Sequence, residues 1–130
     1  MPNIDAIRID HVQINVTDLD RARQFYEGLF GLTETPRPES FDFAGCWYRI
    51  GEVDLHLVVR DLEPSSQRHF CLWVRDVKAV AGMIHAAGHP IRWDTKYKIT
   101  GVDRFFVFDP DGNRIEIQGA DGTGRSRWDV

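Results

Sequence analysis

The chain has 130 residues, 42% of them hydrophobic, and a formal net charge of −4 at pH 7. This length and composition can bury one sizeable core, so we expect a single domain over residues 1–130. The basic residues are scattered and the net charge is negative, which argues against nucleic acid as a partner. No apolar run approaches the roughly 18 residues of a spanning helix, so we expect no membrane partner.

The two cysteines indicate a cellular compartment. Cys46 and Cys71 are isolated and have no pairing motif nearby, which is typical of reduced thiols in a reducing compartment. The opening residues Met-Pro-Asn-Ile-Asp do not have the pattern of a signal peptide. We therefore predict a cytoplasmic location.

The first half of the chain predicts a strand, a helix and three further strands. Residues 9–16 alternate like a half-buried strand, and Asp18 can cap a helix that runs to about Leu29. Gly31 is placed to end that helix. Further short strands are predicted near 32–35, 45–50 and 53–60. The predicted buried face of the helix consists of Ala22, Phe25, Tyr26 and Leu29.

The second half repeats this plan after a polar linker, 61–68, that contains Pro64, Ser65 and Ser66. A helix is predicted from Asp76 to Ala87. The run 109–113, Asp-Pro-Asp-Gly-Asn, has the composition of a tight hairpin turn. The predicted strands are 69–75, 90–94, 104–109 and 113–118, followed by a tail, 119–130, from which Trp128 could pack back. The predicted buried face of the helix consists of Val77, Val80, Ile84 and Ala87.

The two halves also repeat a set of metal-ligand residue types. His11 precedes Asp18 by seven residues, and His69 precedes Asp76 by the same number. His69 follows His11 after 58 residues, and Glu116 follows His56 after 60. A repeat of this period normally reports a duplicated supersecondary unit. The sequence therefore predicts one site between two modules, which span about 8–60 and 69–118.

Strand alternation indicates where the four candidate ligands point. In each strand, apolar residues that a helix would cover alternate with side chains that project to the opposite face. All four candidates fall on this opposite face, which is either solvated or lines a pocket. The opposite-face residues are His11, Gln13 and Asn15; Asp54, His56 and Val58; His69, Cys71 and Trp73; and Arg114, Glu116 and Gln118.

At this point the chain resembles the vicinal oxygen chelate superfamily, which includes glyoxalase I, extradiol dioxygenases, fosfomycin-resistance enzymes and bleomycin-resistance proteins. The resemblance covers about residues 8–118. It rests on the order and spacing of four segments, which are Asp10-His11-Val12, the helix signature from Asp18 through Phe25-Tyr26 to Leu29-Phe30-Gly31-Leu32, His69-Phe70, and the ending from Phe108 to Glu116. It implies an α+β fold of two tandem βαβββ modules that form a curled mixed sheet around a metal site.

The resemblance implies that His11, His69 and Glu116 bind one divalent metal ion. Glyoxalase-like members commonly have a fourth ligand, Glu, on the last strand of the first module. This chain has His56 there, and we expect it to be a ligand too. Imidazoles and one carboxylate suit Fe, Ni, Mn, Co or Zn, without distinguishing among them.

The implied chemistry is bidentate chelation of a small oxygen-rich metabolite or xenobiotic, in a dioxygenase or a glyoxalase-like lyase. Glu116 or His56 could carry protons as catalytic residues. Gln13, Asn15, Trp73 and Arg114 share the candidate face, so we expect them to bind the small-molecule substrate.

Other interpretations stay open at this stage. The chain could be a metal-free drug-binding protein of the bleomycin-resistance type, and His56 could contact substrate rather than metal. We expect a homodimer, with the site inside one chain or shared between two. A further set of residues could steer an anionic substrate or simply be solvated: Arg49, Arg92, Lys96, Tyr97, Lys98 and Arg104.

Overall fold

The computed structural model describes residues 5–61 and 68–123. It divides the chain into two compact units, Met1–Leu62 and Glu63–Val130, which we call the first half and the second half. Each half contains one four-stranded mixed sheet and one helical segment, in the order βαβββ. The predicted α+β class with two βαβββ modules is therefore confirmed. The predicted linker residues Pro64, Ser65 and Ser66, and Trp128, lie outside the described residues.

The sheet of the first half has the strand order β1-β4-β3-β2. β1 and β4 are parallel, and the other neighbouring strands are antiparallel. The elements are β1 (His11–Val16), α1 (Leu19–Arg23) with a π-helical continuation (Gln24–Leu29), β2 (Glu34–Thr35), β3 (Gly45–Ile50) and β4 (Val53–Val59).

The helix of the first half begins as predicted and then widens. The Asp18 carboxylate accepts a hydrogen bond from the backbone N–H of Arg21 at 3.0 Å, so it caps the helix. From Gln24 the chain forms a π-helical turn, in which Phe30 N–H donates to the carbonyl of Phe25 at 3.0 Å. The consecutive residues Phe25 and Tyr26 are both buried. Leu29, predicted on the buried face, is only half-buried because the wider turn rotates it away from the core.

The second half has the strand order β5-β8-β7-β6, with β5 and β8 parallel. β7 is antiparallel to both of its neighbours. The elements are β5 (His69–Trp73), α2 (Val77–Ala86), β6 (Ile91–Trp93), β7 (Val102–Phe108) and β8 (Arg114–Ala120).

Asp76 caps α2, since its carboxylate accepts a hydrogen bond from Ala79 N–H at 3.0 Å. The predicted helix is confirmed, but its buried face is shifted. Val77, Ala81 and Ile84 are buried, whereas the predicted Val80 is half-buried and Ala87 is exposed. The helix has only ten residues, so Ala87 lies beyond its end, and the 77, 81, 84 spacing follows one narrow stripe. No helix within the described ranges is long and apolar enough to cross a membrane.

The predicted tight turn at 109–113 is confirmed. Asp109 is buried, and its Oδ1 accepts hydrogen bonds from the backbone of Asp111 at 2.9 Å and of Asn113 at 2.8 Å. Beyond this turn β8 extends to Ala120, so its last two residues come from the segment predicted as a tail. Residues 124–130 of that tail lie outside the described part of the chain.

Candidate functional site

The two halves place their candidate ligands at equivalent positions. In each half a histidine begins the leading strand, and the neighbouring parallel strand faces it in a fixed register. His11 lies opposite Asp54, and His69 lies opposite Arg114. His56 and Glu116 each follow two residues further along, so each shares a sheet face with the histidine of its own half. The duplicated ligand positions read from the sequence are therefore also duplicated in register.

In the second half, His69 and Glu116 form a close pair. His69 Nε2 lies 3.0 Å from Glu116 Oε1, and Glu116 is 5% exposed. Two donor atoms that each lie about 2.1 Å from a metal, at a right angle, are about 3 Å apart. The pair is within hydrogen-bond distance, and its separation also fits neighbouring positions on a single ion.

A half-buried arginine orients the other carboxylate oxygen of Glu116. Arg104 is 12% exposed in its side chain, and its Nη1 donates to Glu116 Oε2 at 3.3 Å. The amide of Gln118 donates to the same oxygen. Arg104 Nη2 also donates to Asp94 Oδ2 at 2.6 Å and to the carbonyl of Tyr97 at 2.7 Å. This network ties Glu116 to the loop that follows β6.

Sequence reasoning did not find this role of Arg104. It placed Arg104 only among the residues that could steer an anion or be solvated. Asp94 strengthens the network, because backbone N–H groups of Tyr97 and Lys96 donate to its carboxylate and lower its pKa. The predicted hairpin held a signal for this role. Its turn at 109–113 sets Arg104 opposite Gln118, as the structure has it, and therefore on the same face as Glu116.

In the first half, the equivalent pair is stacked. The rings of His11 and His56 have centroids 4.3 Å apart and an interplanar angle of 12°. On its other side His56 stacks on Trp47 at 4.0 Å and 1°. A metal ligated by imidazole lies in the plane of the ring, and two nearly parallel planes do not meet within bonding distance of one ion. The stacked arrangement therefore does not fit both rings on the same metal.

The two stacked histidines have different surroundings. His11 Nδ1 lies 2.9 Å from Asp10 Oδ1, and a carboxylate in that position favours metal binding through the remaining nitrogen, Nε2. His56 is 8% exposed, and burial lowers its pKa although Asp54 opposes the shift from 3.5 Å. His56 is therefore neutral near pH 7. The Arg49 guanidinium lowers the pKa of Asp54 and keeps that carboxylate ionised.

The four predicted substrate residues are divided between the halves. Gln13 lies opposite His56 in register, and Asn15, two residues further along the strand, lies opposite Val58. Trp73 lies opposite Gln118. Arg114 lies opposite His69, and its guanidinium carbon is 4.0 Å from the centre of the Phe106 ring.

Candidate ligands occur in pairs within each half. Across residues 5–61 and 68–123, no group of three or more His, Cys, Asp or Glu side chains could hold a metal ion. In the second half the donor chemistry of His69 and Glu116 fits a divalent ion. In the first half that of His11 alone fits one, because the stacked ring of His56 cannot share its metal.

Comparison with known proteins decides the family. Residues 8–117 match the model of the Glyoxalase/Bleomycin resistance protein/Dioxygenase superfamily. The chain belongs to this superfamily. The resemblance inferred from the sequence is therefore confirmed.

Individual relatives agree with this assignment. The chain is 30% identical to a Bacillus anthracis protein assigned to the glyoxalase family, whose crystal structure superposes with a TM-score of 0.83 over 93% of this chain and 100% of that one. It is 26% identical to "Glyoxylase I 4" of Arabidopsis thaliana, over 87% of this chain and 71% of the relative. It is 27% identical to a Vibrio cholerae protein named "Probable lactoylglutathione lyase", over 85% of this chain and 88% of the relative.

Proposed function

We propose that this superfamily member is a divalent-metal-dependent enzyme that acts on a small oxygen-rich metabolite or xenobiotic. In this proposal His11, His69 and Glu116 hold one ion, within one chain or across two. The observation that carries the proposal is the 3.0 Å separation of His69 Nε2 and Glu116 Oε1. Two histidines and one carboxylate suit Fe, Ni, Mn, Co or Zn and leave positions open for two adjacent substrate oxygens.

His56 is the fourth candidate ligand, and the stack supports another role for it. Its ring lies flat between His11 and Trp47, so it restricts the orientation of the His11 ring. We infer that His56 positions His11, and that direct ligation would require the His56 ring to leave the stack. Ligation by His56, as the sequence predicts, stays a prediction that metal affinity can test.

An ion bound by these residues would polarise the two substrate oxygens that chelate it. Glu116 is the proposed proton carrier, because Arg104 and Gln118 hold Oε2 and direct Oε1 toward His69. His56 is the second proposed carrier, since it is neutral near pH 7 and can accept a proton. Gln13 and Asn15 in the first half, and Trp73 and Arg114 in the second, are proposed to bind the substrate.

The names of the relatives support a lyase of the glyoxalase type as the first candidate reaction. The two-histidine, one-carboxylate set supports a dioxygenase as the second, because non-haem Fe(II) oxygenases use such a set. Metal analysis of protein purified without chelator would be followed by two assays, one with S-lactoylglutathione and one for oxygen uptake with a catechol.

We expect one divalent ion per set of ligands, and turnover in one of the two assays. A protein that binds none of the five candidate metals, and binds a drug of the bleomycin type without metal, would instead be a sequestering protein. That outcome would overturn the proposal.

Two further predictions concern the setting of the protein. A cytoplasmic location stays a prediction, which the isolated cysteines of the sequence suggest. A homodimer stays a prediction, and light scattering coupled to gel filtration would test it.

A further inference from the structure

We propose that the second half carries an oxyanion subsite formed by Arg92 and Arg114 around the ring of Phe106. Its ligand would be the carboxylate, phosphate or phosphonate group of an anionic substrate. The inference rests on the proposed function for the position of the reacting end of that substrate, which is taken to be at His69 and Glu116.

Strand register places the parts of this subsite on one sheet face. Arg92 on β6 lies opposite Phe106 on β7, and Phe106 lies opposite Glu116 on β8. Directly opposed residues of antiparallel strands project to the same side of the sheet. The row therefore runs from a guanidinium, across an aromatic ring, to the candidate ligand carboxylate.

Three guanidinium groups surround the Phe106 ring. The guanidinium carbon of Arg114 lies 4.0 Å from the ring centroid, and those of Arg92 and Arg104 each lie 5.6 Å from it. All three are within the range of cation–π attraction, which is strongest at the ring face. Like charges this close, within about one Debye length of roughly 10 Å at 0.1 M salt, repel one another. Asp94 and Glu116 offset part of that repulsion by pairing with Arg104, and a bound anion would relieve the rest.

Arg104 and Arg92 differ in what neutralises them. Arg104 is half-buried and donates to Asp94 and Glu116. Arg92 is exposed and has no ion pair with any residue that the structure describes, and Asp94 attracts its charge only from beyond ion-pair distance. Its fork of N–H donors can therefore bind both oxygens of an anionic group. A single exposed arginine is common on a protein surface, but Arg92 lies against the same aromatic ring as Arg114, that of Phe106.

The same ring connects the subsite to the candidate ligands. The ring of His69 meets Phe106 edge to face, with centroids 5.7 Å apart. In a substrate bound at both places, about the width of one aromatic ring would separate the anionic group from the oxygens that chelate the metal. We therefore infer an anionic substrate rather than a neutral one.

The test uses the full chain with its metals removed by a chelator, so that only the subsite is measured. Methylphosphonate and acetate are titrated separately, with dimethyl methylphosphonate and acetamide as neutral analogues, while NMR follows the side-chain Nε–Hε signals of the arginines. The two anions distinguish a phosphonate-type ligand from a carboxylate. We expect at least one anion, and neither neutral analogue, to shift the signals of Arg92 and Arg114.

Arg92→Gln should weaken binding of that anion at least tenfold. Arg75→Gln is the matched control, because Arg75 is exposed in the same half and its loss changes the net charge equally. This control should weaken binding less than twofold. Equal weakening by both variants would show only general attraction of anions and would overturn the subsite, as would the absence of any shift at Arg92.

A parallel titration with Zn(II), without chelator, separates the two proposals. If Zn(II) fails to bind while the anion still binds through Arg92, the metal-dependent function falls and the subsite stands. If Zn(II) binds and Arg92→Gln has no effect on the anion, the subsite alone falls.

Discussion

The two halves have the same topology and place candidate ligands at equivalent register positions, but their side chains interact in different ways. In the second half an imidazole and a carboxylate meet through single atoms, 3.0 Å apart. In the first half two imidazoles lie flat against each other, with centroids 4.3 Å apart. A duplicated backbone therefore does not duplicate the chemistry. The position that carries a carboxylate in the second half, Glu116, carries an imidazole in the first half, His56, and that imidazole stacks on its histidine.

The halves also differ in how they hold their second candidate. Arg104 and Gln118 fix the carboxylate of Glu116 by hydrogen bonds. His56 is held by stacking, on His11 and on Trp47. The anionic candidate ligand therefore belongs to the second half, whereas the candidates of the first half are imidazole nitrogens.

The largest expected effect is the loss of the histidine that touches Glu116. His69→Ala should lower metal affinity at least a thousandfold, about 4 kcal/mol, because it removes one of three proposed ligands. The circular-dichroism spectrum should stay nearly unchanged, since the apolar faces that cover the sheets do not depend on an ion. Isothermal titration with Ni(II) or Zn(II) measures the affinity.

His85→Ala is the control for that variant, because His85 is exposed on α2. It should leave the affinity unchanged. A molten His69→Ala protein would mean that the residue is structural, and full affinity would remove it from the ligand set.

The halves differ further in where the sheet is packed so closely that only a glycine fits. In the first half this position is on β3, and in the second half it is on β8. A Cβ at Gly119 on β8 would lie 2.4 Å from Val77 Cγ2 and 2.7 Å from the Val74 carbonyl, and one at Gly45 on β3 would lie 2.3 Å from the Leu57 carbonyl. Gly119→Ala and Gly45→Ala should each lower the free energy of unfolding by about 2–3 kcal/mol, the cost of overpacking.

Gly82→Ala serves as the matched control in urea denaturation. Gly82 lies inside α2 and a Cβ there meets nothing within 4 Å. This variant should raise the free energy of unfolding by about 0.5–1 kcal/mol, because alanine is the better helix former. If Gly119→Ala were as stable as Gly82→Ala, β8 and the start of α2 could not be packed as closely as described.

His56→Ala tests whether the first half contributes one ligand or two. We expect less than a tenfold loss of metal affinity, below about 1.4 kcal/mol, because the stacked ring holds His11 without binding the ion. A loss far above tenfold would instead establish the fourth ligand that the sequence predicts. His56→Glu supplies the carboxylate of glyoxalase-like members, and should raise the affinity if that position can reach the ion.

The smallest expected effect is a dependence of stability on pH in the first half. The folded pKa of His56 is lowered by burial, so the unfolded chain binds its proton more readily. The resulting stability is present above the ordinary histidine pKa of about 6.5 and is lost as the pH falls through the folded value. Between pH 7.5 and pH 5.5 the free energy of unfolding of His56→Gln should therefore fall less than that of the wild type. Urea denaturation in the presence of a chelator measures both. An identical fall in both proteins would show that His56 does not contribute to the pH dependence of stability.

Local patterns in the sequence determined most of the fold. Asp18 and Asp76 cap the two helices, the run 109–113 forms the turn, and alternation correctly predicts that β1 and β8 are strands. These features could be predicted because each depends on residues within a few positions along the chain. The repeat further determined that His56 and Glu116 would occupy equivalent positions.

Only the tertiary structure decided how those residues are held. The stacking of His56 between His11 and Trp47 depends on ring orientations across three strands. The contact of Arg104 with Glu116 likewise depends on pairing between β7 and β8. Composition and periodicity give the face on which a side chain lies, but its rotamer and its partner are selected by packing against residues distant in sequence. The metal-ligand residue types could therefore be read from the sequence, whereas the difference between the two pairs could not.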